Sequence, residues 1–146
     1  MKIRLLITLT AIAVVTSACG LPSAGASPTP SPTGTPRPRS TATLTILQPQ
    51  PFTVVRTTTL NVQFQLTGGR IVAITSKDLT PNTGHVHLSI DGRVLSMNYQ
   101  PAATVSLQPF EPGPHSLQGE FVAVDHLPFN PRVIAKLIFE YEPASG

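Results

Sequence analysis

Gly84-His85-Val86-His87-Leu88-Ser89-Ile90-Asp91-Gly92 alternates between two kinds of side chain and then turns. Val86, Leu88 and Ile90 fall on one side and His85, His87 and Ser89 on the other, the period of two that a strand imposes on its faces. A helix would carry apolar residues both three and four apart, and no two of Val86, Leu88 and Ile90 are three apart. Asp91-Gly92 suits the two positive-φ positions of a type I′ turn. Residues 93–97 are therefore expected to return as the second arm of a hairpin.

The same alternation recurs on both sides. Leu60, Val62, Phe64 and Leu66 are separated by Asn61, Gln63 and Gln65, and Leu117, Gly119, Phe121 and Ala123 by Gln118, Glu120 and Val122. Shorter β-rich runs lie at 43–47, 70–75 and 104–107, and a last one at 134–141. No stretch sustains a helical period with caps. Ten of the sixteen prolines follow residue 40, mainly between these runs, which argues against long helices. Seven or eight short strands in about 106 residues predict an all-β fold, an immunoglobulin-like β-sandwich over residues 41–146. Tryptophan is absent and Cys19 is the sole cysteine, so the tryptophan and inter-sheet disulfide of antibody domains are both missing.

Two motifs carry a resemblance. GHVHLSIDG at 84–92 is one; PGPHSL at 112–117, running on to VDHLPFNP at 124–131, is the other. Together they resemble an uncharacterised immunoglobulin-like domain of bacterial lipoproteins and exported proteins, in which a GHxHxxxDG hairpin precedes PGxHxLxxxLxxxDHxPxxP. The resemblance covers residues 84–141, little over half of the domain. It implies the sandwich fold and an extracytoplasmic setting, and no established activity.

The N-terminus points to the same setting. Lys2 and Arg4 precede an apolar run at 5–15, which leads to Thr16-Ser17-Ala18-Cys19. A basic start, a short apolar core and small residues at the end describe a secretory signal. The run of about 11 residues falls short of the roughly 20 that a bilayer-spanning helix needs. Ser17-Ala18-Cys19 resembles the lipobox of bacterial lipoproteins, whose cysteine is diacylated after the chain is cut just before it. Thr16 departs from that pattern, which usually has an aliphatic residue there. The resemblance implies a signal peptide at 1–18, lipid on Cys19 and a protein anchored in the cell membrane, facing its extracytoplasmic side. A lone thiol in an exported protein is otherwise open to oxidation, and lipidation gives it a purpose.

Residues 19–40 then read as a linker. SPTPSPTGTPRPRS at 27–40 has no apolar periodicity and cannot bury a core. Its prolines favour extended polyproline-II geometry, and twenty such residues reach on the order of 60 Å. The formal charge of +3 needs dividing. Lys2 and Arg4 belong to the signal, and Arg37 and Arg39 to the linker. Residues 41–146 carry six basic and seven acidic side chains, net −1. With no basic stripe, nucleic acid is not an expected partner.

All four histidines lie in the two resembling motifs. In an immunoglobulin-like sandwich the strand from His85 and the strand at 117–124 are antiparallel neighbours. The start of one therefore lies beside the end of the other. This places His85 and His87 near His126 and Asp125, a candidate site for copper or zinc. His115 begins its strand at the opposite end, about 30 Å away. It reads as a structural residue bonded to nearby backbone. Met97, toward the end of the return strand, is not expected in the site.

Simpler roles stand beside these. His85 and His87 can be solvent-facing strand residues, Asp125 a turn cap that accepts backbone N–H groups, and His126 a ring packed on Phe129. No G-x-S-x-G elbow or phosphate-binding loop occurs, and the one cysteine is assigned to lipid. The expected functions are a non-catalytic module, monomeric and tethered, for a cell-surface protein, a glycan or cell-wall material; a metal binder; or a structural spacer.

Overall fold

A computed structural model describes residues 36–144. The expected signal peptide, Cys19 and the linker as far as residue 35 lie outside the described residues. Among the described residues there are nine strands and no helix.

Two sheets face each other. In one, β1 (Thr43–Gln48) and β7 (Ala102–Ser106) flank β3 (Thr59–Thr67), both antiparallel to it. In the other, β2 (Val54–Val55), β9 (Pro128–Tyr141), β8 (Gly113–Ala123) and β5 (Thr83–Ile90) follow in that order. The far side of β5 is shared. The short strand β4 (Arg70–Ile71) pairs with Thr83 and Gly84, and β6 (Arg93–Asn98) pairs from Val86 to Ile90. This is the expected immunoglobulin-like sandwich, with β5 and β8 as antiparallel neighbours.

The alternation sets the core. Leu60, Val62 and Phe64 of β3 face Val86, Leu88 and Ile90 of β5 and Leu117, Phe121 and Ala123 of β8, all buried in one apolar cluster with Phe139 and Tyr141. Each large apolar side chain contributes roughly 1.5–3 kcal/mol by leaving water. Asp91 and Gly92 take φ of 50° and 82°, so the expected tight turn joins β5 to β6.

The structure has nine strands where seven or eight were expected, β2 being the addition, and differs from expectation in four further places. Strand β9 begins at Pro128, not 134, because Phe129 turns inward to stack on Phe121 at 5.0 Å between ring centroids. Residues 72–75 leave the sheet and cross as a loop, held by the amide of Ser76 donating to the carbonyl of Val124. The outer face of β5 is not solvated: His85 and Ser89 are buried. Finally, the folded part begins before residue 41. Ser40 is buried, and Arg37 is hydrogen-bonded to the turn that follows β8. Residues 36–144 therefore carry eight basic and seven acidic side chains, net +1, where 41–146 alone gave −1.

Candidate metal centre

The site starts with a glycine. A Cβ on Gly84 would lie 1.8 Å from the carbonyl oxygen of Val122, so only glycine lets β5 approach β8 this closely. The next residue, His85, pairs with Val122, and His87 pairs with Glu120. Both imidazoles rise from the outer face of the sheet, two residues apart.

His126 comes from the turn after β8 and has φ of 66°, a left-handed conformation that His tolerates better than branched residues. The turn is closed by the amide of His126 donating to the carbonyl of Ala123 at 2.9 Å and by the amide of Ala123 donating to the carbonyl of Leu127 at 3.0 Å. Arg37 holds it from outside. Its guanidinium bonds both oxygens of Asp125, at 2.5 and 2.9 Å, and donates to the carbonyls of Leu127 and Pro128. The amide of Leu127 donates to the Asp125 carboxylate at 3.2 Å. The result is that His126 folds back over His85 and His87.

The three rings converge. His85 Nε2 lies 2.8 Å and His87 Nε2 3.3 Å from Nδ1 of His126. One nitrogen from each ring lies within 4.8 Å of the other two. Metal–nitrogen bonds of 2.0–2.1 Å set tetrahedral nitrogens about 3.4 Å apart. The 3.3 Å separation already matches, and the 2.8 Å separation has to open by about half an ångström. On its far side, His126 Nε2 lies 2.9 Å from the hydroxyl of Thr75. When Nε2 carries the proton and donates to Thr75, the Nδ1 lone pair faces the cluster, as a metal ligand requires.

The electrostatics favour neutral ligands. Burial, together with the neighbouring His126 and His87, lowers the His85 pKa from 6.5 to about 4. Burial and His126 lower that of His87 as well, against the opposing pull of Glu120. Both rings therefore offer lone pairs at neutral pH. His85 is fully buried, and its Nδ1 has no hydrogen-bond partner. An unsatisfied buried nitrogen costs about 1–3 kcal/mol. The orphan is Nδ1, whereas the nitrogen that meets His126 is Nε2, so the unpaired atom is not the one turned to the cluster.

The expected residues do not all join. Asp125 is beside the cluster, but its carboxylate is bound by Arg37 and by the turn, and this interaction with Arg37 lowers its pKa. The turn-cap role is thus present, and the carboxylate is not grouped with the three imidazoles. His126 does not pack on Phe129, whose ring stacks on Phe121. Met97, expected to lie apart, is the cross-strand partner of His87. Sequence reasoning missed Thr75, Tyr99 and Arg37 altogether. Tyr99 closes the site edge-on to His85, at 5.4 Å between centroids. Arg37 was hidden by its setting in a proline-rich run; its spacing from Asp125 carries no sequence signal.

His115 lies at the other end of β8. Its Nδ1 is 2.6 Å from Asp91 Oδ2 and its Nε2 2.8 Å from the carbonyl oxygen of Glu111. Both partners are acceptors, so both ring nitrogens donate and the ring is an imidazolium. Burial opposes that charge, but the bonds to Asp91 and Glu111 outweigh it and raise the pKa. This is the structural corner expected of His115.

No family model and no curated protein matches the chain. Among solved structures the chain is similar to CopC from Methylosinus trichosporium OB3b, at 12% identity over 70% of this chain and 97% of that one, with a TM-score of 0.38. A likeness this distant carries no argument about the site.

Proposed function

We propose that this domain is a non-catalytic metal-binding module that holds a copper or zinc ion through His85, His87 and His126. The observation that carries the reading is the convergence of three imidazole nitrogens within 4.8 Å of one another. The donor type suits both metals. In this reading lipid on Cys19 holds the module to the cell membrane, on the extracytoplasmic side, and the binding is not coupled to a reaction. Among the described residues no helix is long and apolar enough to cross a membrane.

Calorimetric titration of the full chain, with Cys19→Ser to remove its thiol, tests the site. Copper(II) or zinc is expected to bind one to one at micromolar concentration or below, and His87→Ala to abolish the heat. Absence of binding by the parent chain ends the metal reading.

A second reading, docking of a cell-surface protein or glycan, is favoured by Phe52. Phe52 is 77% exposed, and Leu47 and Val54 are also exposed. The amide of Phe52 is bonded to the carbonyl of Ile138 at 2.7 Å, which holds the ring outward. Loss of cell-surface binding in Phe52→Ala, with metal affinity unchanged, supports this reading.

A further inference from the structure

The hairpin that carries His85 and His87 brings one more donor to the site. The turn pairs Ile90 with Arg93 and Ser89 with Val94; beyond it Leu88 pairs with Ser96, and Leu95 is the extra residue of a bulge. An unbroken register would have put Ser96 opposite His87 and turned Met97 to the inner face. The bulge shifts the pairing by one, so Met97 lies directly opposite His87 and shares its face. Side chains so opposed have Cβ atoms about 4.5–5.5 Å apart. Met97 is 52% exposed, so packing does not consume it. Apart from Met1 it is the only methionine of the chain.

The charges around the site point the same way. Two carboxylates are close enough to bid for a cation, and arginines hold both. Asp125 is bound by Arg37, and Glu120, the neighbour of His87 on β8, is bound by Arg132 at 2.6 and 2.7 Å. The available donors are therefore three imidazoles and a thioether, all neutral. A thioether is a soft ligand that selects copper(I), whereas zinc takes imidazole, thiolate or carboxylate. A neutral set also suits a monovalent ion, because less charge is left uncompensated in a half-buried site.

We propose that Met97 supplies a thioether donor to the His85, His87 and His126 centre and makes it a site for copper(I) in preference to zinc. The proposal rests on the three-histidine reading and names the ion that reading leaves open. The unbranched methionine side chain has three rotatable bonds with which to reach a neighbour across the strand.

The test compares the full chain carrying Cys19→Ser with the same chain carrying Met97→Leu as well. Leucine keeps the bulk and removes the sulfur. Copper(I) affinity is measured anaerobically by competition with a chromogenic copper(I) chelator, and zinc affinity by competition with a zinc indicator. Met97→Leu is expected to weaken copper(I) binding at least tenfold, which is about 1.4 kcal/mol, and to change zinc binding less than about threefold. X-ray absorption at the copper edge should show a sulfur neighbour that the variant lacks. Equal copper(I) affinity in the two chains, with no sulfur neighbour in either, overturns the role of Met97 and leaves the three-histidine site standing. A parent chain that binds neither ion overturns both readings.

Discussion

His115 and His85 lie on neighbouring strands of one sheet, at opposite ends, and they are held in opposite charge states. From His115 to Val122, the partner of His85, is seven residues of β8, roughly 23 Å. At one end the ring faces a carboxylate and a carbonyl, two acceptors that demand two N–H donors. At the other it faces two more imidazoles. The first arrangement fixes a proton and ties the β5–β6 turn to β8. The second disfavours a further proton, and its shortest contact, His85 Nε2 to His126 Nδ1 at 2.8 Å, is a hydrogen bond between two rings. What separates a structural histidine from a ligand here is the acceptor or donor character of the neighbours, since both rings lie in the same sheet.

The largest test of this contrast is at the backbone. Gly84→Ala would drive a methyl into the carbonyl of Val122, a main-chain atom that cannot swing aside. Overpacking of this kind costs about 3 kcal/mol, visible as a lower urea midpoint. Gly113, near His115, has open space where its Cβ would stand and φ of 138°. Gly113→Ala is expected to cost about 1 kcal/mol, the strain of that conformation alone. Similar losses at the two ends would break the claim that the cluster depends on close strand approach.

Next in size is the metal itself. His126→Ala is expected to lower affinity by more than about a hundredfold, since even removal of an outer-shell partner costs roughly 10–100-fold. His115→Ala is expected to leave affinity unchanged while lowering stability. Competition titration and urea unfolding on both variants separate the two ends; a metal affinity that falls with His115 would sink the comparison.

The pH dependence should carry opposite signs. The pKa of His85 falls to about 4 in the fold from 6.5. The unfolded chain therefore takes up this proton first, and stability declines as pH falls from about 6.5 toward about 4. His115 is raised, so its contribution is full below 6.5 and is lost as pH rises through its folded value. His85→Phe removes the first effect and the unpaired buried nitrogen together. In the metal-free protein it is expected to raise stability by about 1 kcal/mol, and to flatten the urea midpoint between pH 4.5 and 6.5. His115→Gln should lower the midpoint more at pH 6 than at pH 9.

The ease with which each part could be read from the sequence follows from how local its cause is. Alternation at 60–66, 85–90 and 117–123 fixes both faces of the central strands, because each residue's side is set by its neighbours. Antiparallel pairing of β5 and β8 then brings His85 and His87 to His126 without further information. Met97 could not be placed this way. A turn at Asp91-Gly92 predicts pairing with no bulge, and Leu95, which shifts the register, is unremarkable in sequence. Arg37 was hidden for a different reason. Proline-rich composition marks a chain that cannot build a core of its own, yet it does not prevent one guanidinium from docking on a core built elsewhere.

The smallest expected effect decides what Asp125 does. Its ion pair with Arg37 is partly exposed, with side chains 26% and 19% accessible, so breaking it should cost only about 1 kcal/mol. If the pair acts by holding the turn of His126, Arg37→Met and Asp125→Asn should each weaken metal binding by about tenfold. The double variant should then be no worse than either, because the two residues form one clamp and their losses are not additive. A carboxylate ligand gives another pattern. Asp125→Asn would then remove a donor and cost far more than Arg37→Met, while Arg37→Met would free the carboxylate for the ion and could even tighten binding. Metal competition on the three variants distinguishes these outcomes, and tighter binding by Arg37→Met would return Asp125 to the ligand set.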